Sequence, residues 1–196
     1  MGRNWVLSPS KSIWLWVWRG EAAAQIAEFA LSLPLLVVFV VGIFDFSNAI
    51  TLKQKLTNAA RDGARVAAAD PASDLASPSA NTLPVSINDA WQVVDNDLLQ
   101  EKVNDCGLAN PTWAQNNLTW TATATGGGCP AAGITLTINR GCSTVQTQGT
   151  TMDVVNTCIT LTYPYRWQFS SVSNLVGGTF VGPATITIAA ASFNEN

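Results

Sequence analysis

The sequence predicts an α+β protein: a long N-terminal membrane-spanning helix, then a small antiparallel-sheet domain carrying one short helix. Three observations lead there. From Phe29 to Phe44 no residue is charged. From Asp45 to Ala69, small and apolar residues recur at helical spacing. From Leu118 onward, four segments alternate threonine with apolar residues, the period-two pattern of half-buried strands. A sheet with one apolar face needs a covering layer, and the short helix supplies it.

The uncharged run holds 16 residues, just under the roughly 17–25 that a helix needs to cross a bilayer. A comfortable span draws in Ala22–Ala27 and carries Glu28 into the hydrocarbon. There a carboxylate costs about 2.5–3.5 kcal/mol on insertion scales, which marks it as a functional candidate. Alternatively the span begins at Phe29, with Glu28 among the headgroups. Spacing leaves both open. Pro34 lies inside the run, where a kink is tolerable. Asp45 closes the run and, as a boundary residue, is expected to tolerate Asn.

Beyond Asp45 the pattern turns amphipathic, with Leu52, Leu56, Ala59, Gly63 and Val66 opposite Lys53, Lys55, Arg61 and Asp62. Ala59, Ala60, Gly63, Ala64 and Ala67 make a smooth stripe that lets another backbone approach, either its own domain's or another subunit's. If unbroken from Ala24 to Ala69, the helix is roughly 70 Å long at 1.5 Å per residue and reads as a stalk.

Four regions follow: a leader over 1–23, a transmembrane and stalk helix over 24–70, a linker over 71–84, and an exported α+β domain over 85–196. The leader is basic and bears Trp5, Trp14, Trp16 and Trp18. An ordinary secretory signal cut near Ala22-Ala23-Ala24 fits poorly, because its apolar stretch, Ser12–Trp18, is short and Arg19 and Glu21 intervene. It would also leave the cysteines in the cytoplasm. Ala, Ser, Asp and Pro dominate the linker. In Ser86–Asp105, Trp91, Val94, Leu98 and Lys102 fall at helical spacing, with Ser86 or Asn88 as cap. The strands are Leu118–Thr125, Ile134–Arg140, Val155–Tyr163 and Ala184–Ser192, punctuated by glycine.

After Pro71 only Lys102, Arg140 and Arg166 are basic, against eight acidic residues. That balance repels phosphate backbones and argues against nucleic acid as a partner. The other basic residues flank the apolar run on both sides, so the positive-inside rule sets no orientation. Cys106, Cys129, Cys142 and Cys158 are the only cysteines. They show no CxxC spacing, and the chain has no histidine, so no metal site is expected. An even number in a loop-rich domain points to disulfides and an oxidising compartment, with four buried free thiols as the alternative. Of three pairings, Cys106–Cys129 and Cys142–Cys158 each close a local loop and are favoured. No catalytic motif, phosphate-binding loop or cofactor signature is present. Asp95, Asp97 and Glu101 read as a solvated helix face, and Asn117-Leu118-Thr119 as a chance glycosylation triplet.

The segments Ala24-Gln-Ile-Ala-Glu28-Phe29-Ala-Leu-Ser-Leu-Pro34-Leu-Leu, Gly42-Ile-Phe-Asp45-Phe46 and Asn58-Ala-Ala-Arg61-Asp-Gly63-Ala-Arg65 resemble the TadE-like family, minor pilins of the tight-adherence (Flp-type) pilus system. The resemblance covers roughly residues 20–70. It implies that a prepilin peptidase cuts between Ala23 and Ala24 on the cytoplasmic side, although glycine is usual before the cut and Gly20 is the nearest. Glu28 then becomes the fifth mature residue and, with Phe29, supports assembly. A buried carboxylate there can be neutralised by the new α-amino group of a neighbouring subunit. The implied protein is a non-catalytic minor pilin or pseudopilin, single-pass in the bacterial inner membrane with its C-terminal domain extracytoplasmic. Its implied partners are membrane lipid, the prepilin peptidase, other pilin subunits and the assembly platform, with a surface pilus as the end point. The alternative is a single-pass envelope protein whose exported binding domain never enters a fibre.

Overall fold

The computed structural model describes residues 21–76, 82–130, 133–147, 150–154, 156–168 and 182–194. Helix α1 runs from Glu21 to Ala69 with Pro34 inside it. Its Ala24–Ala69 part contains a window of mean hydropathy 2.4, long and apolar enough to cross a membrane. Two compact units divide the chain, one of Met1–Phe44 with Gln168–Phe180, the other of Asp45–Trp167 with Val181–Asn196. In the first, the described helix presents Phe29, Leu31, Phe39, Ile43 and Phe44 outward, all exposed.

The second unit is the α+β domain. Strands β1 (Thr112–Asn116), β2 (Thr119–Ala124), β3 (Ile134–Asn139), β6 (Asn156–Pro164) and β7 (Thr185–Phe193) form an antiparallel sheet in the order β1-β2-β3-β6-β7. Strands β4 (Ser143–Thr147) and β5 (Thr150–Val154) pair separately as a hairpin between β3 and β6. The alternation of the sequence sorts the faces. Trp120, Ala122, Leu136, Ile138, Ile159, Leu161 and Ile188 point into the core. On the other face the registers align Thr112, Thr123, Thr135, Thr162 and Thr187 into one row across all five strands.

The core face is covered by α2 (Val85–Gln100) and by the C-terminal half of α1. Ile87, Ala90, Val94 and Leu98 come from α2, and Leu56, Ala59, Ala60, Ala64 and Ala67 from α1. The small-residue stripe is therefore buried within its own domain. Gly63 explains its smoothness. A Cβ there would lie 2.6 Å from Val94 Cγ2, 3.0 Å from Ile159 Cδ1 and 3.2 Å from the Ala90 carbonyl oxygen. Only glycine lets α1, α2 and β6 meet this closely.

Helix ends depart from expectation. Neither Ser86 nor Asn88 caps α2; its N-cap is Pro84, without a side-chain bond. The Ser86 amide instead donates to Asp74 Oδ2 at 3.0 Å, from a 3₁₀ turn over Ala72–Ala76 that also buries Leu75. At the other end α2 stops at Gln100, five residues short of the expected Asp105. Lys102 takes φ 56°, and the Val103 amide reaches back to the Leu98 carbonyl at 2.8 Å, closing a Schellman turn. Asn117 has φ 51° in the β1–β2 turn.

Candidate functional site

Glu28 and Phe29 lie on α1, both exposed, Phe29 at 64%. The Ser32 hydroxyl donates to the Phe29 carbonyl at 3.1 Å. The Ala23–Ala24 bond lies within α1 as described from Glu21 onward. The rest of the expected leader lies outside the described residues.

The Asn58–Arg65 motif divides by face. Ala59, Ala60, Gly63 and Ala64 are buried, whereas Arg61, Asp62 and Arg65 are exposed. Asn58, Arg61 and Arg65 line an open cleft of about 490 Å³ with Asp97 and Glu101 across it. Lys55 Nζ stands 3.6 Å from the Glu101 carboxylate, and Arg65 stands 4.0 Å from Asp62. The α2 carboxylates are less solvated than the sequence implies. Burial raises the pKa of Asp97, aided by Asp62 and Glu101, and burial with Asp105 raises that of Asp95. One carboxylate oxygen on each finds no hydrogen-bond partner among the described residues. With both signs of charge and no nucleophile beside a base, the cleft suits polar contact.

The cysteines pair as Cys106–Cys129 and Cys142–Cys158. The first joins the segment after α2 to the β2–β3 loop, and the second ties the end of β3 to β6. Among the described residues no group of three or more His, Cys, Asp or Glu is arranged to hold a metal ion.

Two polar constellations were not foreseen from sequence. Arg140, fully buried, donates to the Ala67 carbonyl, to Thr157 Oγ1 at 2.7 Å and to the Asp70 carbonyl at 3.3 Å. The last turn of α1 has no basic residue of its own. Arg140 supplies from β3's end the cation that the helix C-terminus favours. Burial lowers its pKa, while Asp74 and Asp70 hold the charge on.

The second lies at Asp45. This residue is only 3% exposed. The Tyr165 hydroxyl donates to Asp45 Oδ1 at 2.9 Å and to its main-chain oxygen at 3.1 Å. Trp167 packs edge-on against Tyr165 with ring centroids 4.9 Å apart, and its indole N–H donates to the Pro183 carbonyl at 2.7 Å. Asp45 is thus more than a boundary charge, although Asn would keep an acceptor for Tyr165. No local sequence pattern marks the pair, since Asp45 and Tyr165 lie 120 positions apart.

Comparison with curated proteins and with solved structures finds no match to either. The family model described as TadE-like protein matches residues 23–65, so the segment carrying Glu28, Phe29, Asp45 and Gly63 is similar to that family over the stretch where its motifs lie.

Proposed function

We propose that this chain is a membrane-anchored minor pilin or pseudopilin of a tight-adherence (Flp-type) pilus, acting by assembly and without catalysis. The observation that carries the reading is Glu28 at the head of an outward-facing apolar helix, within the segment similar to TadE-like proteins. In this reading the Asp45 side of the helix is exported, consistent with two disulfides in the distal domain. The peptidase cut after Ala23 frees an α-amino group, and the Glu28 carboxylate of one subunit pairs with the amine of the next.

The test separates assembly from plain anchoring. Subunit recovered in sheared fibres, or in cross-linked assemblies, is normalised to its membrane level for Glu28→Ala and Glu28→Gln. Both variants are expected to remain in the membrane and to lose incorporation, Gln included, because the charge does the pairing. A plain anchor would insert better without the carboxylate. Unchanged incorporation for both variants would leave an envelope protein with an exported binding domain and no place in a fibre.

A further inference from the structure

We propose that Phe46, Tyr165, Arg166 and Trp167 form a docking surface that seats the α+β domain on the headgroup layer of the bilayer. The inference rests on the membrane-anchored reading and goes beyond it, because an anchor alone does not bring its domain to the lipid. The surface belongs to the compact unit that begins at Asp45, and it starts where the uncharged run ends. Wherever that run lies in hydrocarbon, Asp45 and Phe46 are at its edge.

Three features make the surface built. The Asp45 carboxylate, which would be costly beside lipid, is covered and holds the Tyr165 hydroxyl. The indole N–H of Trp167 is spent on Pro183, and Gly182 lets the ring lie so close that a Cβ there would be 2.5 Å from Nε1. The Tyr165 amide donates to the Ala184 carbonyl at 2.9 Å, binding the end of β6 to the start of β7. Both rings are half-buried and fixed, with their polar atoms satisfied within the domain, and Tyr and Trp are the residue types enriched at membrane interfaces. Phe46, next in sequence to Asp45, is 61% exposed.

Charge selects the occupant. Arg166 is exposed, whereas Arg140 is buried and Lys102 sits in the turn after α2. The cation beside these rings faces the level of lipid phosphates, which a guanidinium binds bidentately. A second copy of the chain is a poorer occupant, since four side chains fall far short of the roughly 800 Å² per partner of a stable interface. The docking also fixes the span. Asp45 lies seventeen positions after Glu28, about 26 Å of helix against about 30 Å of hydrocarbon. Glu28 then lies just inside the opposite edge of the hydrocarbon and not beyond it.

The experiment reconstitutes the full chain in phosphatidylcholine vesicles containing a quarter phosphatidylglycerol. Lipids carry bromine either next to the headgroup or near the chain ends, and the difference between the parent chain and Trp167→Phe isolates the Trp167 emission. That emission is expected to be lost chiefly to headgroup-proximal bromine and to be shielded from aqueous iodide. Arg166→Glu, at an exposed position that leaves the fold intact, should weaken the bromine quenching and open Trp167 to iodide. Trp167 quenched by iodide and untouched by either brominated lipid, in a chain that resists carbonate extraction, would overturn the docking and leave the anchor standing. Shielding that grows with protein-to-lipid ratio would assign the surface to a second copy, and unchanged quenching in Arg166→Glu would remove the headgroup pairing. Release of the whole chain by carbonate would overturn the anchor itself.

Discussion

Tyr165 shows how one side chain can carry a fold's local logic without any mark in a periodicity plot. Its phenol is pushed up to about 12, first by burial and then by the hydrogen bond and charge of Asp45. Tyr163, whose hydroxyl donates to the Asn104 carbonyl at 2.9 Å, is raised too, by burial and by Asp105. These are the only two tyrosines in the chain. A spectrophotometric titration of the folded protein is therefore expected to show no tyrosinate at the pH where a free phenol ionises. The hydroxyl form is the one the fold favours, so its contribution is complete below the free phenol's pKa. It is lost as pH rises through the raised value. One group titrating like free tyrosine would mean the Asp45 bond does not hold in solution. Glu28 and the four cysteines stood out in the sequence because charge in an apolar run and cysteine count are local properties. Arg140, Asp74 and Tyr165 did not, because each acts on a backbone or carboxylate that only the tertiary fold brings near.

At the scale of elements, long periodic segments were legible and short or irregular ones were not. Strands β2, β3, β6 and β7 fall within one residue of the expected spans at each end, and α1 ends at the expected Ala69, since each carries an uninterrupted period. Strand β1 and the β4–β5 hairpin went unread: Thr112–Asn116 has one large aromatic inward position, Trp113, and the hairpin strands are short and polar. The end of α2 was overrun because Lys102 continues the helical spacing while adopting a left-handed φ, a role usually signalled by glycine. The α1–α2–β6 crossing makes a sharper prediction. In an exposed helix Gly63→Ala would gain about 1 kcal/mol from propensity. Here the added methyl meets Val94 and Ile159, and overpacking of about 1–3 kcal/mol outweighs that gain. Denaturant unfolding should show Gly63→Ala less stable by roughly 1 kcal/mol, with Val94→Ala in the same chain recovering part of the loss through coupling. A stabilised Gly63→Ala would mean the helices do not approach this closely.

For the whole molecule, the sparse charge has a consequence that ordinary acid denaturation would reverse. Asp70, Asp95 and Asp97 all have pKa values raised by burial as the first cause, and Asp70 feels Asp89 and Asp74 against the relief given by Arg140. A carboxyl raised in the folded state binds its proton more readily there than in the unfolded chain. Between the ordinary aspartate value and the raised ones the folded form therefore holds more protons, and stability increases as pH falls through that window. Opposing terms are weak. Among the described residues the ion pairs are Lys55–Glu101 and Arg65–Asp62, at 3.6 and 4.0 Å with largely exposed partners, each worth about 0–1 kcal/mol. The disulfides, which close loops of 23 and 16 residues, contribute roughly 3 kcal/mol apiece independent of pH on the chain-entropy account. Thermal unfolding followed by near-ultraviolet circular dichroism should accordingly show the midpoint rising from neutral pH toward the carboxylate range. Asp97→Asn should raise the neutral-pH midpoint and flatten the profile, because it removes a buried charge and keeps the shape. A midpoint that falls steadily on acidification would show that these carboxylates are stabilising as anions, and would require partners for Asp95 and Asp97 beyond those found among the described residues.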